Sequence, residues 1–363
     1  MPVVTRARDI IEAVERVAPP SLAEDWDNCG LQVGNVDAGV NRVLVALTPL
    51  PEVFEEAAEV GADFLLFHHP LIFSPLKSVD TKSYPGNLLA RAINEGRTVY
   101  AAHTSYDAAP DGVSVVLAET LGLRGPFGIV SPRGALRKLV VFVPEGHEDA
   151  VAEALSGAGA GVIGDYTQCT FRTPGTGTFL PGEGSDPYLG EKGTLQREAE
   201  IRVETVVPAH LARAAAEAAT AAHPYEEVPI DTYPVEGFPQ GCGYGRIGDL
   251  PEPLTAEGLS RRVSAALGSP ARPVSDPAPE REVGRVAVLG GSGGSFIGEV
   301  AASGAGAYVT GDLDYHDALL AESLGLAAID AGHAATELPS LKPLARRLAE
   351  MVDVPVSVSR IRR

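Results

Sequence analysis

The chain has 363 residues, 45% of them hydrophobic, which is enough material for two domains and more than one core. Its formal charge of −19 disfavours nucleic acid, because neutralising phosphates needs clustered Lys and Arg; metal cations and small molecules fit better as partners. Cys29, Cys169 and Cys242 lie far apart without a CxxC pair, which argues against a disulfide framework or zinc knuckle and suits a reducing, cytoplasmic setting.

The start, Met1 to Asp9, carries charges where a signal peptide needs an apolar stretch, and no apolar run reaches ~18 residues, so no membrane insertion is expected. Residues 9–127 then alternate helical patterns with short apolar runs, the rhythm of an α/β fold. Residues 42–47 are expected as a buried strand, 51–60 as a helix and 62–67 as a second strand that ends in His68-His69-Pro70. A third apolar run, 98–102, ends in His103-Thr104-Ser105-Tyr106-Asp107.

The middle segment, about 136–236, has a different grammar. It reads as strand 137–143, helix 146–156, strand 161–165, a long Gly/Pro-rich excursion through Thr173-Pro174-Gly175-Thr176-Gly177 to Gly193, strand 198–207, Ala-rich helix 209–221 and strand 228–233. β-α-β followed by β-α-β predicts a ferredoxin-like α+β unit, inserted into a parent domain whose two parts close one site together. Pro/Gly-rich seams at 234–248 and 269–279 mark the return to the parent, where apolar runs at 284–289, 307–310 and 326–330 alternate with Ala-rich helical stretches. The last run ends in Ala331-Gly332-His333-Ala334-Ala335-Thr336-Glu337. The expected fold class is α/β: two similar halves, 1–130 and 241–363, form one metal-binding domain that the insert, 131–240, interrupts.

In open α/β sheets the ligand crevice lies beyond the carboxyl ends of the strands, so clusters that each follow a strand can converge. Adjacent strand residues point to opposite faces, which lets His68 and His69 approach different ions as their strand ends. Asp107 beside neutral imidazoles gives the ligand mix of zinc, manganese or iron, though it can also cap the following turn; His103 is either a ligand or a residue that orients one. His333 and Glu337, at i and i+4, share a face if a helix begins after Gly332, and a carboxylate there can bridge ions roughly 3.5 to 4 Å apart. Their shared placement predicts two divalent ions per chain (zinc, iron or manganese), held mainly by His68, His69, Asp107, His333 and Glu337.

Past the run 307–310 lie Asp312 and His316, also i and i+4. They read as a catalytic general acid or base with His103 as a further proton carrier, or else as an N-cap and an exposed helix residue. Gly290-Gly291-Ser292-Gly293-Gly294-Ser295 joins a strand to a helix, but Phe296 stands where G-x-G-x-x-G needs glycine; no dinucleotide cofactor is expected, and a tight turn competes with an anion cradle. His147 and His210 are expected on the surface of the insert, and His223-Pro224-Tyr225-Glu226-Glu227 as a structural helix-to-strand turn.

Taken together, Trp26-Asp27-Asn28-Cys29-Gly30-Leu31-Gln32-Val33-Gly34, Phe67-His68-His69-Pro70-Leu71-Ile72-Phe73, His103 to Asp107, Gly311-Asp312 with Tyr315-His316, and Asp330 to His333 with Thr336-Glu337 resemble a known family. It is that of the toroidal dinuclear-metal proteins labelled GTP cyclohydrolase 1 type 2 homologues. The similarity spans nearly the whole chain, and the middle segment, with Gly164-Asp165-Tyr166, Gly177-Thr178-Phe179 and the His223 motif, resembles the signal-protein-like insert of longer members. Ser105 and Tyr106 depart from the Asn and Leu frequent there, a change that involves no ligand. The resemblance implies two α/β halves around a dinuclear site, a ring-shaped homohexamer with projecting inserts, and His68, His69, Asp107, His333 and Glu337 as ligands by position. As function it implies a metal-dependent hydrolase of a nucleotide or related small molecule. The rival reading is a non-catalytic metal-holding or regulatory ring whose insert binds a partner or effector.

Overall fold

The computed structural model describes residues 5–363; Met1 to Val4, the first part of the N-terminal stretch considered above, lie outside the described residues. The chain divides into two compact units, one built from residues up to Pro132 together with Gly241–Arg363, the other from Arg133–Gln240. Up to Pro132 the strands are β1 (Gly30–Val33), β2 (Val43–Ala46), β3 (Phe64–Phe67), β4 (Thr98–Ala101) and β5 (Arg124–Pro132). The insert carries β6 (Leu136–Pro144), β7 (Phe171–Phe179), β8 (Gln196–Pro208) and β9 (Ile230–Val235). After it come β10 (Gly243–Leu254), β11 (Arg272–Ser275), β12 (Val283–Ser292), β13 (Ala307–Gly311), β14 (Ala327–Asp330) and β15 (Val356–Val358).

Among the described residues the first unit forms two sheets, ordered β1-β4-β3-β2-β15 and β11-β14-β13-β12-β10-β5. Each has a parallel centre, β2-β3-β4 in one and β12-β13-β14 in the other. That is why Val43–Ala46, Phe64–Phe67 and Ala307–Gly311 are buried end to end: parallel strands are covered on both faces and need continuous rather than alternating apolar residues. The two stretches exchange edge strands. β15, near the end of the chain, pairs in parallel with β2, while β5, from the first stretch, pairs with β10.

The helix Ala7–Val17 buries Ala7, Ile10, Ala13, Val14 and Val17, one stripe of a 3.6-residue period, in a core shared with Leu344 and Leu348 of Leu341–Ala349 and with Val43, Val45, Phe64 and Leu66 of the first sheet. The end of the chain is fastened by the buried Glu56. Its carboxylate accepts hydrogen bonds from Ser359 Oγ (2.6 Å), the Arg360 backbone N–H (3.1 Å) and Arg360 Nε (3.0 Å). Among the described residues no helix is long and apolar enough to cross a membrane.

The second unit runs strand–helix–strand–strand–helix–strand, with an antiparallel sheet ordered β7-β8-β6-β9. Alternate residues Leu139, Val141 and Val143 with Val203 and Val207 pack against Val151 and Leu155 of Glu148–Gly157 and Ala215 and Ala219 of Ala212–Ala222. One expectation is corrected here. Residues 161–165 contribute only an isolated bridge between Ile163 and Tyr166, and the second strand lies instead in the Gly/Pro-rich excursion, as β7. β7 is an edge strand, where the missing N–H of Pro174 is tolerated, and at Gly177 a side chain would collide with the Glu200 carboxylate.

Candidate metal centre

Three of the parallel strands deliver the histidines and carboxylates to one place within the first unit. β3 ends at Phe67 and releases His68 and His69; β4 ends at Ala101 and leads through His103 into the short helix Thr104–Asp107; β14 ends at Asp330 and leads through Gly332, at φ 81°, into the helix His333–Glu337. His68 Nε2 lies 3.6 Å from Asp107 Oδ1 and 3.4 Å from Glu337 Oε1. His69 Nε2 lies 3.1 Å from Glu337 Oε2 and 3.2 Å from His333 Nε2, which is itself 3.2 Å from Glu337 Oε1. Three groups result, each with its donor atoms within 4.8 Å of one another: His68, His69 and His103; His69, His333 and Glu337; His68, Asp107 and Glu337.

The rings are oriented as ligands are. His68 Nδ1–H donates to the Ala102 carbonyl (3.0 Å), His103 Nδ1–H to Asp27 Oδ1 (2.9 Å) and His333 Nδ1–H to Asp312 Oδ2 (2.6 Å), while His69 Nδ1 meets Thr48 Oγ1 at 3.0 Å. With Nδ1 engaged, the nitrogen left to face an ion is Nε2, the tautomer that metal-binding histidines adopt. Three buried atoms here, His68 Nε2, Asp107 Oδ1 and Glu337 Oε2, have no hydrogen-bond partner. Burying such atoms unpaired costs about 1–3 kcal/mol each, a cost a cation removes, so the residues fit the group they are expected to hold.

Electrostatics point the same way. Burial opposes charge on Glu337, yet the imidazoles of His68, His333 and His69 hold its carboxyl well below the ordinary range. Burial of Asp107, reinforced by the Glu337 charge, pushes its carboxyl up to about 6 against the pull of His68. For His68 burial favours the neutral ring, but the Asp107 and Glu337 carboxylates overcome this and raise it to about 9; the hydrogen bond to Glu337 does the same for His333. Two half-compensated acids in a buried pocket are an attractive seat for positive charge.

The remaining expectations fare differently. His103 belongs to one ligand group, and Asp27 holds its Nδ1. Asp312 reaches the cluster as the partner of His333, and it is not the N-cap of Tyr315–Ser323, a place taken by Asp314 in a capping box with Asp317. His316 is exposed on that helix with its ring against Tyr315, and it belongs to none of the three ligand groups. The glycine run joins a strand to a helix as a tight turn: β12 ends at Ser292 and a 3-10 turn at Gly294–Phe296 leads into the helix Ile297–Ala302, while the Gly291 N–H donates to Thr336 Oγ1 and the Gly290 N–H to Ser114 Oγ. At Gly291 the missing side chain also leaves space, since a Cβ there would collide with Glu337 Oε1. In the insert, His147 and His210 lie partly exposed, His147 meeting Tyr188, and His223 is a buried structural residue.

Sequence reasoning assigned no role to Asp27 or Thr48. Asp27 accepts from His103 Nδ1, from the Thr104 N–H (3.1 Å) and hydroxyl (2.5 Å) and from Cys29 Sγ (3.0 Å); these donors outweigh its burial and keep its carboxyl well below the usual range. Its only signal was its place beside Trp26, 76 positions from its partner.

Comparison with known proteins places the chain in a family and matches its fold. A family model described as Duf34/NIF3 (NGG1p interacting factor 3) matches residues 5–363. A GTP cyclohydrolase 1 type 2 homolog of Halalkalibacterium halodurans is 40% identical over 335 residues, covering 91% of this chain and 89% of that protein. One from Bacillus subtilis is 39% identical over 349 residues, 95% and 92% of the two chains. The crystal structure of a Bacillus cereus protein related to NIF3 superposes with a TM-score of 0.87 at 40% identity, over 99% of this chain and 98% of that one.

Proposed function

This chain belongs to the Duf34/NIF3 family, and from that premise we propose that it is a dinuclear metal-dependent hydrolase acting on a nucleotide or related small molecule. The observation that carries the reading is the set of buried, unpartnered donor atoms on His68, Asp107 and Glu337, enclosed by imidazoles whose Nδ1 atoms are already engaged. His68, His69, Asp107, His333 and Glu337 would hold two divalent cations, with Glu337, common to two ligand groups, between them. When bound, such cations supply Lewis acidity and lower the pKa of water. Asp27, which stays charged, fixes His103 so that its second nitrogen is the proton carrier at the edge of the site. Asp312 holds His333, and Thr48 holds His69.

Trp26 (62% exposed) and Phe73 (56% exposed) lie beside His103, with ring centroids 6.3 and 6.4 Å from the imidazole, and offer a flank for a planar ring. The name carried by the relatives, GTP cyclohydrolase 1 type 2 homolog, makes GTP the first substrate to try. The setting proposed is reducing and cytoplasmic, in keeping with free Cys29, Cys169 and Cys242, and the assembly a ring-shaped homohexamer. The test is a hydrolysis screen of GTP, other nucleotides and phosphoesters on metal-replete protein. Turnover that disappears in Glu337→Gln and falls in Trp26→Ala supports the reading. Full metal loading without turnover of any of them overturns it in favour of a metal-holding ring.

A further inference from the structure

Two features of the insert stand outside the metal chemistry: the His223-Pro224-Tyr225-Glu226-Glu227 turn and the Gly/Pro-rich excursion that follows β7. The fold brings them to the same cavity, about 540 Å³ in volume, closed on another side by β8. That volume lies in the range of small-molecule pockets, roughly 300–1,000 Å³. A segment of this length without regular structure is uncommon unless it lines a site, and this one is pinned in place. Asp186 N–H donates to Glu226 Oε1 (2.7 Å), and the Tyr188 hydroxyl meets His147 Nε2 (3.3 Å).

The lining has a definite chemistry. Tyr225 stands between Phe179 and Tyr188, each ring centroid 6.2 Å from its own, so three aromatic rings form one wall. Tyr225 is pre-set: its backbone N–H donates to His223 Nδ1 (3.1 Å), and His223 Nε2–H in turn donates to the Phe142 carbonyl (3.0 Å). Its hydroxyl donates to Glu200 Oε1 (3.1 Å), whose carboxylate is on a residue only 8% exposed and sits against side-chain-free Gly177. Glu226 and Glu227 add acidic groups at the exposed rim, and no Lys or Arg is among the described residues that line the cavity. Aromatic faces with negative quadrupoles and carboxylates without a basic counterpart select for positive charge on an apolar body and reject anions.

We propose that this cavity is a binding site for a small organic cation, an amine or quaternary ammonium on a ring-sized apolar body, seated against Phe179, Tyr188 and Tyr225 with its charge toward Glu200, Glu226 and Glu227. The site lies wholly within the insert and is independent of the hydrolase reading. Calorimetric titration of the full-length, metal-replete protein tests it with tryptamine and benzyltrimethylammonium as probes, and N-acetyltryptamine and indole-3-propionate as the neutral and anionic counterparts of the first. Saturable binding of the two cations at one per chain is expected, with the neutral analogue at least tenfold weaker and the anion not bound. Glu200→Gln should weaken both cations at least tenfold. Tyr188→Ala, which removes one ring of the wall and the contact with His147, should weaken them severalfold, with a cooperative melting transition showing that the variant still folds. No saturable binding of either cation, equal binding of the neutral or anionic analogue, or binding untouched by both substitutions would overturn the proposal.

Discussion

Glu337 differs from the other ligand candidates because both of its carboxylate oxygens face imidazoles, Oε1 toward His68 and His333 and Oε2 toward His69. Asp107 meets only His68 among them, through Oδ1. Glu337→Gln keeps the volume, removes the charge and leaves one good acceptor oxygen, so both cations are expected to be lost. Asp107→Asn should lose one and keep the other. Elemental analysis after identical dialysis checks this, and the roles must be exchanged if Glu337→Gln keeps both ions while Asp107→Asn loses both. Asp312 makes a different prediction. It is exposed and contributes through His333 Nδ1, so Asp312→Ala, at a φ of 57° that Asp tolerates better than Ala, should cost about 1 kcal/mol of stability and still fold, yet weaken metal binding about 10–100-fold in chelator competition. Unchanged competition would show that the 2.6 Å contact does not orient His333.

At the level of elements, the glycine run on β12 gives the helix His333–Glu337 its close approach. Gly291→Ala places a methyl group against Glu337 Oε1 at a φ of 75°, whereas Gly304→Ala, at φ 79°, meets nothing within 4 Å. Both should lose about 1–2 kcal/mol for the left-handed backbone, but only Gly291→Ala should also lose metal; equal metal content in the two variants would contradict the steric argument. The fastening of the chain end predicts a pH dependence. Hydrogen bonds from Ser359 and Arg360 outweigh burial and hold the Glu56 carboxyl below its ordinary value of 4.5, so their stabilisation is present above that value and is lost as pH falls through the lowered one. Glu56→Gln should cost about 1.5–3 kcal/mol at neutral pH and flatten the acid limb of the unfolding curve; an acid limb as steep as that of the unmodified protein would sink the assignment. Which elements form the site was legible in the sequence because ligands follow continuous apolar runs, the mark of parallel strands whose ends meet. Asp312 sits at φ 57° ahead of the helix that carries His316, a break that their i, i+4 spacing does not show. β7 was hidden by its Pro and Gly, which only an edge position accommodates. The pairing of β15 with β2 and of Asp27 with His103 joins residues with no local pattern to announce them.

For the molecule as a whole, the helix Tyr315–Ser323 is where the proposed assembly is tested by substitution. Tyr315 (72% exposed), Leu319 and Leu320 (46% each), with Leu324 just beyond, leave large apolar side chains in water on this helix. Light scattering at micromolar concentration is expected to give a hexamer, and Leu320→Glu a smaller species with an unchanged melting transition of its own fold; a monomer for the unmodified chain would contradict the ring. The central claim, however, is the metal centre, and anomalous diffraction from metal-replete crystals tests it most directly. The account predicts two peaks per chain, one contacted by His68 and Asp107, the other by His69 and His333, with Glu337 touching both. A single peak, or peaks away from these five residues, would contradict it.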